Sequence, residues 1–150
     1  MKILVSVGTT KYDSLISYID SKPYFDTLPI EFQIADGKYI PQRHPYFTFI
    51  ESTGIIKKYQ EADITITHAG AGTIYKLLEM GKKIIVVPNL ERIDKHQKDI
   101  SDFLLKNRYA LVAYSMTQLE MFIDIIQSYN FRKFEKENFF KSEEIISYIL

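Results

Sequence analysis

The run Lys83-Ile84-Ile85-Val86-Val87, closed at once by Pro88, constrains the fold more than any other stretch of the chain. After its first residue it is unbroken apolar sequence. Such a run fits a strand covered on both faces, and strands of that kind belong to parallel sheets flanked by helices. Two further runs serve as strands feeding polar loops. Ile3 to Val7 ends at Gly8-Thr9-Thr10, and Asp63 to Thr67 ends at His68-Ala69-Gly70-Ala71-Gly72-Thr73. Helical spacing fills the intervals: Tyr12, Leu15, Ile16 and Ile19 recur at i, i+3, i+4 and i+7 before Pro23. Strands alternating with helices predict an α/β fold, a doubly wound, mostly parallel, Rossmann-like sheet.

The remaining pattern extends this plan. Glu31 to Ala35, closed by Asp36-Gly37, and Tyr46 to Ile50 read as strands, with Pro41 and Pro45 marking a turn region between them. Ser52 or Thr53 is placed to cap a helix to Gln60, and Thr73 to Met80 reads as a helix stopped by Gly81. A loop from Asn89 to Asp94 is expected to lead into a helix through Leu105, with a strand over Tyr109 to Ala113. Ser115-x-x-Gln118 is a capping-box signature for a helix to about Ser128, apolar on more than one face and so either deeply buried or half of an interface. Glu143 to Leu150 reads as a last helix. At 150 residues, with no linker-like tract, the chain is expected to form one domain over 1–150.

Charge and composition narrow the function classes. Nineteen lysines and arginines balance nineteen aspartates and glutamates, so no overall field favours nucleic acid. Without cysteine there is no disulfide framework or thiolate nucleophile, which suits a cytoplasmic setting. The first residues form too short an apolar run for a signal peptide, and no stretch approaches the length of a bilayer span.

In an open parallel sheet, ligands bind beyond the carboxyl ends of the strands, so the loops after Val7, Ile50, Thr67 and Val87 hold the candidate site. The loop His68 to Thr73 sets two glycines just before a helix. Missing side chains there either admit a phosphate to free N–H groups and the positive end of the helix dipole, or serve tight helix–strand packing. The loop lacks the third glycine of a dinucleotide fingerprint and the Gly-Lys-Ser/Thr of a P-loop. Asn89 to Gln97 is the second constellation. Asp94, His96 and Gln97 offer both acceptors and donors to sugar hydroxyls, or else form a solvated helix N-terminus. His68 is a secondary candidate for a donor or catalytic role. His44 is expected in a surface loop, and the aromatics at Tyr46-Phe47-Phe49 and at Phe131, Phe134, Phe139 and Phe140 in packing, the second cluster standing where a partner could dock. No His-Glu-x-x-His pattern calls for a metal.

Val7 to Ile16 (Val-Gly-Thr-Thr-Lys-Tyr-Asp-Ser-Leu-Ile), Thr67 to Thr73 (Thr-His-Ala-Gly-Ala-Gly-Thr), and Gly81 to Asn89 followed by Asp94-x-His96-Gln97 together resemble the family 28 glycosyltransferase C-terminal domain. Within it, the chain is similar to stand-alone donor-binding subunits: that of the eukaryotic dolichol-linked N-acetylglucosaminyltransferase, and bacterial relatives in capsule and exopolysaccharide synthesis. The resemblance spans Lys2 to Tyr114. It implies the C-terminal half of a GT-B fold, with a UDP-sugar as substrate, no cofactor or metal, and a membrane-associated partner chain carrying the lipid-linked saccharide acceptor at the inner membrane face. Gly70, Ala71, Gly72 and Thr73 match its diphosphate loop, and Gly8, Thr9 and Thr10 the first loop of the same cleft. Phe49 and Ile50 match the strand end that holds uracil. Asn89, Asp94, His96 and Gln97 match the sugar-reading segment. Where relatives place a glutamate on the ribose hydroxyls, this chain has Lys76, which accepts no hydrogen bond.

The function expected on that resemblance is the donor half of an inverting UDP-sugar transfer, with the general base unassigned. Two rivals are a non-enzymatic companion that stabilises a catalytic subunit, and a flavodoxin-like or nicotinamide-binding module, since fold alone does not fix function.

Overall fold

A computed structural model describes residues 1–89 and 95–135. Its elements in chain order are β1 (Ile3–Ser6), α1 (Asp13–Ser21), β2 (Ile30–Gln33), β3 (Tyr46–Phe47), α2 (Ser52–Glu61), β4 (Ile64–Thr67), α3 (Ala71–Glu79), β5 (Lys83–Val86), α4 (Lys95–Lys106), β6 (Leu111–Val112) and α5 (Leu119–Ile125). Short 3₁₀ turns lie at Pro23–Phe25 and Met116–Gln118. All six strands pair in parallel in the order β3-β2-β1-β4-β5-β6, the doubly wound order expected. The order reverses between β1 and β4. There the connections leave toward opposite faces, and a crevice opens at the strands' carboxyl ends.

Alternation along the strands divides the core. Ile3, Val5, Ile64, Ile66 and Ile85 face α1 and α5, packing on Leu15, Ile16, Ile19, Leu119 and Ile123. Leu4, Ile84, Val86 and Val112 face the opposite way, onto Tyr59 of α2, Ile74 and Leu77 of α3, and Ile100 and Leu104 of α4. These strands are apolar on successive residues because helices cover both sheet faces. The polar residues Ser6, Gln33 and Thr67 sit side by side in register on the last rung, where the sheet meets the crevice.

Several expected boundaries shift. β3 stops at Phe47, so Phe49 and Ile50 stand in the loop beyond it. α2 takes Glu51 as its N-cap with no side-chain cap bond, in place of Ser52 or Thr53. α3 starts at Ala71 and ends in a Schellman motif: Gly81, at φ 71°, donates to the Leu78 carbonyl and Lys82 to that of Leu77. The capping box at Ser115 and Gln118 is formed, but it opens a 3₁₀ turn before α5. α5 stops at Ile125, whose carbonyl takes both the backbone N–H and the hydroxyl of Ser128. It buries Leu119 and Ile123 and leaves Met121 about half exposed, so a single face packs.

The expected surface position of His44 is corrected. Its ring is buried edge-on against Phe32 with centroids 5.7 Å apart, because the 36–45 loop is drawn onto α1 by two carboxylates. Asp13 accepts from the N–H groups of Lys38 and Tyr39, and Asp20 from those of Gln42 and Arg43 and from the Tyr39 hydroxyl. Phe131 packs in the α1/α5 layer, and Phe134 lies edge-on to both Tyr75 and Tyr109. Phe139, Phe140 and the expected helix Glu143 to Leu150 lie outside the described residues. Among the described residues no helix is long and apolar enough to cross a membrane.

Candidate functional site

The crevice is built on one buried amide. After β1 the chain turns through Gly8, whose φ of 71° is left-handed backbone that glycine adopts without strain. Gln33, the last residue of β2 and only 3% exposed, holds that turn. Its Oε1 accepts from Ser6 Oγ at 2.9 Å, Val7 N at 3.0 Å and Gly8 N at 2.9 Å; its Nε2 donates to the carbonyls of Gly8 at 2.8 Å and Thr48 at 2.9 Å. Loops after two different strands are thereby fixed by one side chain whose hydrogen-bonding groups are all used. Tyr12 extends the frame, its hydroxyl donating to the Pro88 carbonyl beyond β5 at 2.8 Å.

Above this frame lies a cleft of about 400 Å³. Ser6, Gly8, Thr9 and Gln33 come from the strand ends, Phe49, Ile50, Ile55 and Tyr59 from the β3–α2 segment, and Gly72, Thr73 and Lys76 from α3. Phe49 is 58% and Ile50 43% exposed, a large apolar surface for a loop. Ile50 folds against Gly54, where a Cβ would stand 2.7 Å from its side chain, which explains a glycine inside α2.

α3 points its N-terminus at the crevice. Its N-cap, Gly70, makes no side-chain cap bond, and the first turn has no acidic residue. Ile74 is the first residue to bond back, to the Gly70 carbonyl at 3.0 Å, so helix geometry leaves the preceding N–H groups without intrahelical acceptors. A Cβ on Gly72 would meet nothing within 4 Å, so the space before those groups is open. Among the described residues no carboxylate lines the cleft, and Lys76 is the one charged residue of the lining. Free N–H groups, the positive end of a helix dipole and a cation together favour an anion.

Gly70 has a different task. A Cβ there would lie 2.5 Å from Cε1 of His68, and a Cβ on Gly8 3.0 Å from Nε2 of the same ring. Both glycines make room for the imidazole, which is wedged between the loops after β1 and β4. Burial holds the His68 pKa below its ordinary value, and a hydrogen bond to the Val7 backbone opposes that shift. The two readings of the glycine loop therefore divide: Gly70 serves packing, and Gly72 faces open space.

A second depression, about 270 Å³, lies across the same bend and is lined by His68 to Gly72 together with His96, Gln97 and Ile100 of α4. Gly72 lines both, so the two depressions meet at the start of α3. His96 is exposed, whereas Asn89 is buried and its N–H donates to Gln97 Oε1 at 2.9 Å. Of the expected site residues, Gly8, Thr9, Gly72, Thr73, Phe49 and Ile50 converge on the first cleft, and Gly70, Ala71, Gly72, His96 and Gln97 on the second. Thr10 is exposed and lines neither; Asp94 lies outside the described residues. Gln33, Tyr12, Ile55 and Tyr59 were missed as site residues. The one available signal was Gln33, an uncharged polar residue between the apolar Phe32 and Ile34.

Residues 2–147 match the family model described as the glycosyltransferase family 28 C-terminal domain. The human protein named UDP-N-acetylglucosamine transferase subunit ALG13 is 32% identical over 117 residues, which cover 69% of this chain and 10% of that protein. Its namesake in Yarrowia lipolytica is 28% identical over 127 residues, covering 75% of this chain and 65% of that one. This chain thus corresponds to about a tenth of the human relative's length. Among solved structures, the solution structure of ALG13 aligns with a TM-score of 0.67 at 18% identity, covering 99% of this chain and 97% of that one. Acinetobacter baumannii MurG aligns at 0.64 and 22% identity over 84% of this chain and 41% of its own, as expected of one half of a two-domain GT-B architecture. The sheet order, the crevice and the match over nearly the whole length converge on one assignment: the chain belongs to the glycosyltransferase family 28 C-terminal domain family.

Proposed function

We propose that this chain is the donor-binding subunit of a two-chain inverting glycosyltransferase, moving a hexose or N-acetylhexosamine from a UDP-sugar to a lipid-linked saccharide. The observation that carries the reading is the cleft itself, where an uncapped helix N-terminus and Lys76 share one space with exposed Phe49 and Ile50. Phe49 and Ile50 offer an apolar face to uracil, and the N–H groups at Gly72 and Thr73, with Thr9 from the facing loop, receive the diphosphate. The sugar then extends past Gly72 toward His96 and Gln97, in a segment that also includes Asn89 and Asp94. The similarity to proteins named as transferase subunits supports a partner chain. That partner is assigned the acceptor site and the membrane contact, with this chain recruited to the cytoplasmic face for capsule, exopolysaccharide or related polysaccharide assembly.

In the transfer, an acceptor hydroxyl oxygen bonds to the anomeric carbon as the bond from that carbon to the UDP oxygen breaks. The hydroxyl proton passes to a base, which we place on the partner. This chain stabilises the departing diphosphate. The α3 dipole and its N–H groups are already oriented, so little reorganisation is needed as negative charge develops. His68, enclosed between two glycines, acts as the support of both loops.

Calorimetric titration with UDP, and transferase assay with and without the partner, test the proposal. Micromolar to millimolar UDP binding by this chain and activity only in the pair are expected. Absence of UDP binding, or full activity of this chain alone, refutes it.

A further inference from the structure

We infer that Lys76 pairs with an anionic phosphate oxygen of the ligand in the cleft, so that affinity for a nucleotide depends on its phosphate charge and on salt. The inference rests on the nucleotide reading above and adds to it a specific contact. Four observations carry it. Lys76 lines the cleft and, among the described residues, is its one charged residue, with no carboxylate in the lining to neutralise it. It lies on α3 at three and four residues from Thr73 and Gly72, the spacing that puts side chains on one helix face. Among the described residues its ammonium has no ion-pair partner. Other lysines of the same sheet face differ in being occupied: Lys58 of α2 pairs with Glu31 at 2.9 Å, and Lys82, just after α3, donates to the Gln60 carbonyl at 3.0 Å. Finally, an ammonium donates three hydrogen bonds and accepts none, so it cannot take the hydrogen of a sugar hydroxyl and is best matched by an anion.

The competing account is that Lys76 merely complements the dipole in the last turn of α3. The two accounts part on ligand affinity. Titration of UDP and of uridine into wild type, Lys76→Gln and Lys76→Arg, at about 0.05 M and about 0.5 M salt, separates them. Lys76→Gln is expected to weaken UDP about tenfold at low salt and to flatten the salt dependence, with uridine unchanged. Lys76→Arg is expected to retain UDP affinity. Because the residue is exposed, a melting scan of each variant checks that the fold is kept. Unchanged UDP affinity in Lys76→Gln, or an equal loss for uridine, overturns the inference while leaving the nucleotide reading intact. No UDP binding by wild type overturns both.

Discussion

Replacing Gly72 and Gly70 in turn by alanine separates ligand access from packing within one loop. Both backbones tolerate alanine, since Gly70 sits at φ −87° and Gly72 is not among the positive-φ residues. At Gly72 a Cβ meets nothing within 4 Å, and the substitution removes a glycine from the first turn of a helix. A gain of about 0.5–1 kcal/mol is expected, or roughly 1–4 °C in Tm for a chain of this size. Helical Cβ atoms lean toward the N-terminus, so the new methyl enters the approach to the free N–H groups. UDP affinity should then fall about tenfold or more, the worth of a charge-assisted hydrogen bond. At Gly70 the same methyl meets the His68 ring at 2.5 Å, and overpacking of this kind costs about 1–3 kcal/mol. Adding His68→Ala removes the obstacle, so the double variant should recover stability that Gly70→Ala lost, a coupling of about 1 kcal/mol or more. Thermal melts and UDP titration on the variants read both effects. A Gly72→Ala protein that binds UDP as wild type does, or additive losses at Gly70 and His68, would refute the division of roles.

Gln33→Leu leaves the Ser6 hydroxyl, the Val7 and Gly8 N–H groups and two carbonyls without their shared partner; about 2–4 kcal/mol of destabilisation is expected from melts, with Gln33→Glu losing UDP affinity through a carboxylate beneath the anion site. Alkaline pH supplies a second test. Burial, then the hydrogen bond to Glu120, then its charge push the Tyr18 pKa up to about 12, so the unfolded chain loses that proton from about pH 10 while the folded chain keeps it. Stability contributed by this pair is complete below pH 10 and declines between 10 and 12; Tyr18→Phe should flatten that part of a melting-temperature profile.

What was legible in the sequence follows from which interactions are local. The strands announced themselves because burial on both faces forces successive apolar residues, as at Ile84 to Val87, and Gly81 marked the end of α3 because a left-handed C-terminus selects glycine. Phe49, Ile50, Gly72 and Thr73 could be brought to one cleft because strand order in this fold fixes which loops are neighbours. The two roles of the glycine loop could not be separated in advance: whether a missing Cβ admits a ligand or a ring depends on the χ angles of His68, which no local pattern encodes. His44 was misplaced for a related reason, since the carboxylates that draw its loop inward, Asp13 and Asp20, belong to a helix more than twenty residues earlier. Gln33 is the extreme case. Its five bonds run mostly to backbone atoms, which every sequence possesses, so its partners leave no trace in residue identity. Residues that hold a crevice open by gripping main chain are therefore the part of such a site that a sequence conceals best, and a buried polar side chain set between apolar neighbours at a strand's carboxyl end, as Gln33 is between Phe32 and Ile34, is the sign by which to look for them.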